Sequence, residues 1–353
     1  MSVLASDEGP LFLADCRRRP WHVPGYTAEL ALLAGRRLAN SVQLRRQKEP
    51  HVGLKLRPDW LPPQPAGAAL TAGDGELRLP AYAELGPPLI APVPPLAYAA
   101  DDPETVFAAH RWSRAVHAAF GDHAALAEAE REIATWLAAA PSPAHAAWEA
   151  YSACERVANI AVLLVVEPGS GERLGWSRLK RLLADHARWI DSRLEYYGPG
   201  RTNNHILNNA RALVIAGATI ADGAVVATGL AILDRMAPEL IDGDGFLRER
   251  SSHYQVVIAN WVLDARHFAR HAVAADLVPR SRIEGLERVA ERVASATALL
   301  ATALAGNGTA ALPVHIGDIS PDLQPPLSLA RLARLYPHAL PALAARDLAT
   351  RGP

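Results

Sequence analysis

An asparagine-rich segment that contains one histidine is the strongest candidate for chemistry in this chain. Residues 201–213 read RTNNHILNNARAL, so four asparagines and His205 stand at the start of an apolar stretch. Asparagine is a poor residue inside a helix, because its amide competes for backbone hydrogen bonds. A helix cap accounts for Asn203 or Thr202, but not for the other residues. We therefore expect Asn204 and His205 to form part of a binding or catalytic site; the alternative is a buried hydrogen-bond network.

A second polar cluster ends in a tyrosine. Residues 242–254 read DGDGFLRERSSHY. A glycine turn, followed by Ser251 or Ser252 as a helix cap, explains the glycines and serines. Tyrosine has an ordinary pKa of about 10, and positive neighbours favour its phenolate form. Tyr254 is therefore a candidate general base or acid. The cap leaves these further polar residues beside it unexplained: Arg248, Glu249, Arg250 and His253.

Composition and charge argue against several classes of protein. Half of the 353 residues are hydrophobic and the formal net charge is −1, which predicts a globular protein without nucleic-acid or membrane partners. Cys16 and Cys154 offer no metal-binding spacing, and two free thiols are favoured over a disulfide. The N-terminus carries acids, without a basic start and an apolar run, and no stretch could span a bilayer. We therefore expect a cytoplasmic location.

The elements that must position these residues begin near residue 101. Ten prolines lie between Arg57 and Leu96, so residues 1–100 are predicted to form an irregular arm that packs on the main body, with one helix near 28–44. From residue 101 the apolar residues recur at helical spacing. We predict a main domain over 101–322, then a C-terminal extension over 323–353 with a short helix. Eight helices are predicted in the main domain: one from 101 to about 120, one through Leu126 and Trp136, and others at about 145–166, 176–196, 204–220, 223–240, 252–273 and 283–304.

Short loops between these helices favour antiparallel hairpins. The predicted fold class is all-α, an incomplete α/α toroid of antiparallel helical hairpins. In such a series the third, fifth and seventh helices run the same way. Their starts, at 145–148, 203–205 and 251–254, are therefore expected at one rim, to which the loop 313–318 returns. Converging polar groups at a concave rim indicate a binding site.

These motifs resemble the heparinase II/III family, which is related to the alginate lyases. Asn203-Asn204-His205 before an apolar helix is similar to the family signature, and Glu249, Ser251 and Tyr254 are similar to its tyrosine motif. The resemblance covers about 105–322. Its weaker parts are a tryptophan-containing helix and a closing Gly-Asp segment, represented here by Trp148, Tyr151, Glu155, Arg156, Asn159, Ile316, Gly317 and Asp318.

By this resemblance, the chain cleaves uronic-acid polysaccharide by β-elimination, and its partner is an acidic polysaccharide or oligosaccharide. Asn204, assisted by His205, would hydrogen-bond the uronate carboxyl group and stabilise the enolate. Tyr254 would exchange a proton with C5 or the leaving oxygen. No cofactor or metal is expected, since no helix presents His-x-x-x-His beside an acid. Candidate substrate-binding residues are Arg201, Asn203, Arg248, Glu249, Arg250, His253, Trp148 and His315.

Two alternatives stay open. Family members carry a β-sandwich domain after the helical part, whereas this chain ends at Pro353, which favours a non-catalytic or accessory glycan-binding protein. The other alternative is a glycoside hydrolase on an α/α toroid, which needs two carboxylates flanking the scissile bond. Glu249 could pair with Asp242, Asp244 or Asp318, but the spacing singles out no pair.

Overall fold

The structure is a computed structural model that describes residues 110–112, 123–139, 141, 145–197, 200, 202–304 and 316–317. The described residues form α-helices and two short 3-10 helices, with one isolated bridge between Ile241 and Leu247. The prediction of an all-α fold is therefore confirmed, whereas the toroidal arrangement stays a prediction. The predicted arm, most of the first helix, the C-terminal extension and Cys16 lie outside the described residues.

Eight α-helices lie within the described part of the chain. They are α1 His123–Ala139, α2 Ala150–Val166, α3 Pro168–Leu174, α4 Trp176–Ser192, α5 His205–Ile220, α6 Gly223–Leu240, α7 Ser252–Ala274 and α8 Glu284–Leu304. The 3-10 helices span Ala146–Trp148 and Arg280–Arg282. The predicted bounds of α5 to α8 agree with the structure to within one residue at each end. None of the described helices has the length and apolar character needed to cross a membrane.

Three predicted helices differ from the structure for local reasons. The helix predicted over 145–166 begins at Ala150, because the Glu149 carboxylate caps it by accepting hydrogen bonds from the backbone N–H groups of the first turn. Between the helices predicted at 145–166 and 176–196, where none was predicted, Pro168 begins α3, at a position where proline loses no helical hydrogen bond. Helix α4 ends at Ser192 rather than at 196. Within the predicted first helix, the structure describes only residues 110–112, and Trp112 has a φ of 58°, which lies outside helical geometry.

Helix α5 is the central element of the described helices. It packs against α2, α4, α6 and α7, and every residue from Ile206 to Ile220 is buried. Helix α6 approaches it closely at two glycines. A Cβ atom at Gly229 would lie 2.7 Å from the carbonyl oxygen of Ala210, and one at Gly217 would lie 2.6 Å from the backbone nitrogen of Val226. These glycines allow the two backbones to pack without side chains between them.

The described residues fall into two compact units. Almost all of them, including every helix, belong to one unit, while Tyr196, Tyr197, Gly200 and Thr202 belong to the other. Within this short segment the backbone N–H of Tyr197 donates to Oγ1 of Thr202 at 3.0 Å. The site described below belongs to the helical unit.

Candidate functional site

The two polar segments meet through Asn204 and Glu249. Asn204 immediately precedes α5, its side chain makes no capping hydrogen bond, and it is only 4% exposed. Its Nδ2 donates to Oε2 of Glu249 at 2.9 Å. Glu249 lies on the exposed loop that leads into α7, five residues before Tyr254. This hydrogen bond fixes the orientation of the Asn204 amide and joins the starts of α5 and α7.

Asn203 has a separate, structural role. Its Oδ1 accepts a hydrogen bond from the backbone N–H of His205 at 3.1 Å. The Asn203 side chain therefore satisfies one backbone N–H at the start of α5, although the residue in the N-cap position is Asn204. Its side chain is exposed, so a part in substrate binding stays a prediction.

His205 lies in the first turn of α5 and contacts a carboxylate. Its Nδ1 is 2.8 Å from Oε1 of Glu195, and its side chain is 36% exposed. Burial lowers the pKa of His205, but the hydrogen bond and charge of Glu195, with the charge of Glu149, outweigh burial and the nearby Arg111. The pKa of His205 is therefore raised above its ordinary value of 6.5. The surroundings therefore favour the cationic form of His205, the residue that follows Asn204 in the chain.

Glu195 is itself held by a buried asparagine. Nδ2 of Asn209 donates to Oε2 of Glu195 at 2.9 Å, while the backbone N–H of Glu195 donates to Oδ1 of Asn209 at 2.7 Å. The same Nδ2 lies 3.3 Å from Sγ of Cys154. Burial and the charge of Glu195 raise the pKa of the Cys154 thiol, so it stays protonated and is a poor nucleophile.

An aromatic side chain covers one side of His205. The ring of Tyr151, in the first turn of α2, has its centroid 4.9 Å from that of His205. The guanidinium carbon of Arg111 lies 4.5 Å from the same tyrosine ring centroid. Trp261 of α7 packs on Tyr151 with a centroid distance of 5.8 Å. The Tyr151–His205 contact brings the start of α5 to that of α2, and the Asn204–Glu249 hydrogen bond brings it to the loop before α7. A common rim of all three helix starts stays a prediction.

Tyr254 lies in the first turn of α7. Its backbone N–H donates to the capping Oγ of Ser251 at 3.0 Å, and its half-buried ring lies 5.7 Å from the ring of buried His253.

The predicted return of the last loop is confirmed at 316–317. The Ser252 backbone N–H donates to the carbonyl oxygen of Ile316 at 2.9 Å, and the Ile316 N–H donates to Oγ of Ser252 at 2.9 Å.

The other predicted site residues divide into three groups. Arg248 and Arg250 are exposed on the loop before α7. Trp148 lies in an aromatic cluster with Trp136, Trp189 and His186, at ring-centroid distances of 5.2, 4.9 and 4.8 Å. Its position is that of a packing residue, and stacking on a sugar stays a prediction. Arg201, His315 and Asp318 lie outside the described residues.

A second polar network lies deeper along α5 and was not predicted as such. Nη2 of Arg211 donates to Oδ2 of Asp264 at 2.7 Å, and its Nη1 donates to Oε1 of Glu155 at 2.9 Å. Nδ2 of Asn208 donates to the same Glu155 oxygen at 2.9 Å. Burial lowers the pKa of Arg211, but the two carboxylates outweigh it and raise the pKa. Asn208 and Asn209 are thus buried side chains that hydrogen-bond to Glu155 and Glu195. For Asn204 and His205 the choice between a site and a buried network stays open. Asn208 and Asn209 follow Asn204 and His205 by one helical turn, so the sequence could have predicted that they lie on the same face of α5.

The structure describes a fixed amide at Asn204 and, at the next residue, an imidazole with raised pKa. Tyr254 lies in the first turn of the neighbouring helix α7, and its place in the same site stays a prediction. An amide and an imidazolium are both hydrogen-bond donors, which suits recognition of a carboxylate. Within the described residues, no three histidine, cysteine or acidic side chains are grouped closely enough to hold a metal ion.

Comparisons with known proteins give one structural likeness. No protein-family model matches the chain, and no curated protein matches it. Among solved structures, the chain is similar to the crystal structure of heparinase III, with a TM-score of 0.43 and 20% identity. The likeness covers 58% of this chain and 33% of that one. The chain therefore matches about a third of the length of that structure.

Proposed function

We propose that this protein is a polysaccharide lyase that cleaves uronic-acid polysaccharide by β-elimination, with Asn204, His205 and Tyr254 as its catalytic residues. The observation that carries the proposal is the hydrogen bond from Asn204 to Glu249. It brings a fixed amide, with His205 beside it, to the loop that leads into the helix of Tyr254. The resemblance of Asn203-Asn204-His205 and of Glu249, Ser251 and Tyr254 to the heparinase II/III motifs supports this assignment.

The first requirement of the reaction is a neutralised carboxylate. Removal of the proton at C5 of a uronate produces an enolate that places more negative charge on the carboxyl group. The Asn204 amide has a second N–H beyond the one given to Glu249, and His205 has Nε2 beyond the nitrogen held by Glu195. Both donors can stabilise the developing charge. Because both groups are already oriented, little reorganisation is needed during the reaction.

The second requirement is proton transfer. Tyr254, as phenolate, takes the proton from C5, and the electrons of that bond form the C4–C5 double bond. The C4–O4 bond breaks, its electron pair leaves on O4, and the protonated Tyr254 returns the proton to O4. Atoms and charge balance without water, metal or cofactor. Positioned proton transfer of this kind contributes about a hundredfold or more to the rate.

The experiment is an assay of the purified chain against a panel of uronic-acid polysaccharides. The expected result is new ultraviolet absorbance from the C4–C5 double bond with at least one polymer, lost in Asn204→Ala. If glycan binding is measured but no polymer gives absorbance, the lyase proposal is wrong and the protein is a glycan-binding module. Reducing ends that appear without absorbance indicate hydrolysis instead.

A further inference from the structure

We infer that Glu195 is the positioning residue of His205: it holds Nδ1 and so makes Nε2 a hydrogen-bond donor toward the substrate carboxyl group. Glu195 was not among the residues predicted from the sequence. Its assigned role rests on the proposed function, because that function needs His205 as a donor. The contact itself, 2.8 Å between Nδ1 and Oε1, does not depend on any substrate.

The protonation of His205 decides what Nε2 can do. A neutral imidazole whose Nδ1–H donates to a carboxylate has a lone pair on Nε2, which repels another carboxylate. Only the imidazolium has a proton on both nitrogens. A carboxylate at Nδ1 stabilises this cationic form. Glu195 therefore orients the ring and also favours the cationic form that the reaction needs.

Glu195 is well fixed for this task. It is only 8% exposed, and Asn209 binds both its carboxylate and its backbone N–H. Oε2 is taken by Asn209, so Oε1 is directed to His205. In a partly desolvated position such a hydrogen bond is stronger than in water, and a fixed partner loses little entropy when the substrate arrives.

Charged groups on the surrounding elements both raise and lower the pKa of His205. Glu149, the cap of α2, favours the cationic form of His205, and Arg111 opposes it. The ring of Tyr151 lies 4.9 Å away and offers an aromatic surface to the cation. Because the favourable groups outweigh burial, the pKa of His205 is raised. Glu195 is the only one of these acids that is hydrogen-bonded to the ring within the described structure.

The test is an NMR titration of His205 in the full chain, with its signal assigned by its loss in His205→Gln. Glu195→Gln keeps the size of the side chain and removes its charge. The titration midpoint is expected to fall by about one pH unit or more. Glu155→Gln is the matched control: Glu155 also accepts hydrogen bonds from side chains of α5, but it does not contact His205. In this variant the midpoint is expected to stay as in the wild type.

Two results would overturn the role of Glu195. One is the same midpoint in wild type and Glu195→Gln. The other needs no variant: a wild-type midpoint at or below the ordinary histidine value of 6.5. Where elimination is measured, its rate in Glu195→Gln should begin to fall at a lower pH than in the wild type, in step with the lower titration midpoint of His205. A residue with a merely structural role would not cause this shift. A wild-type protein without lyase activity refutes the proposed function, while the titration still decides whether Glu195 controls His205.

Discussion

The amide of Asn204 and the carboxylate of Glu249 are joined by a hydrogen bond of 2.9 Å, between residues 45 positions apart in the sequence. Asn204 is buried, whereas Glu249 is exposed. The hydrogen bond holds the amide in one orientation, and it also places a negative charge close to the donors assigned to the substrate. Glu249 is therefore expected to favour turnover but not substrate affinity.

Replacing Glu249 should separate its effect on the orientation of the Asn204 amide from the effect of its negative charge on substrate affinity. In Glu249→Ala the Asn204 amide can rotate, so kcat is expected to fall about tenfold or more. KM is expected to stay the same or to fall, because a like charge near the uronate is removed. The free energy of unfolding should fall by about 1–3 kcal/mol, since the buried Asn204 amide loses its hydrogen-bond acceptor.

Asp244→Asn is the control for Glu249→Ala, because it removes a charge from the same exposed loop. Steady-state kinetics of this variant should match those of the wild type. A higher KM with unchanged kcat in Glu249→Ala would contradict the assigned role, since it would place Glu249 in substrate binding alone.

The buried ion pair between Arg211 and Asp264 should contribute to stability far more than an exposed pair. The two side chains are only 4% and 2% exposed. Asp264→Ala leaves Arg211 with one carboxylate, Glu155, and is expected to lower the free energy of unfolding by about 3–5 kcal/mol. Denaturant unfolding measures the loss. As a control, Glu239→Ala removes the exposed pair with Arg235 and should cost about 0.5 kcal/mol or less. Equal losses in both variants would refute the prediction.

Two buried histidines should make the protein sensitive to acid. His186 lies with Nδ1 2.9 Å from the carbonyl oxygen of Leu182, and its Nε2 accepts from Nε of Arg156 at 3.1 Å. Burial, with the charge of Arg156, lowers the pKa of His186 to about 3 and that of His110 to about 4. The unfolded chain takes up these protons near the ordinary value of 6.5. The stability contributed by the neutral rings is therefore present above that value and is lost as the pH falls toward about 3.

Denaturant unfolding at about pH 7 and about pH 5 measures this loss. The free energy of unfolding should be lower at the acidic value, and His186→Phe should show a smaller difference between the two. A wild-type protein that is equally stable at both would contradict the prediction. His205 acts in the opposite direction: its raised pKa contributes stability below 6.5 that is lost as the pH rises through the folded value.

The sequence was most informative for α5 to α8. Glycine, aspartate and serine boundaries frame those helices, and local signals of this kind do not depend on distant contacts. Helix α3 was missed because Pro168-Gly169 reads as a break, although proline is equally suited to a first helical position. The roles of the four asparagines could not be separated, since each depends on its partner: the His205 backbone for Asn203, Glu249 for Asn204, Glu155 for Asn208 and Glu195 for Asn209.

Tyr254→Phe is expected to lose turnover without losing thermal stability. Loss of the phenol removes the group that transfers the proton, and turnover is expected to fall about a hundredfold or more. Tyr197→Phe makes the same change at an exposed tyrosine, 40% accessible, and should keep full activity. Thermal melting of both variants should resemble that of the wild type. Full activity in Tyr254→Phe would refute the assignment of this residue but not the class of reaction.

The central claim, elimination rather than hydrolysis, is tested most directly by mass spectrometry of the products from a defined uronate oligosaccharide. Elimination adds no water, so the account predicts two fragments whose masses sum to that of the substrate, one of them with an unsaturated uronate. Fragments whose masses sum to that of the substrate plus one water would contradict it, because they require a hydrolase.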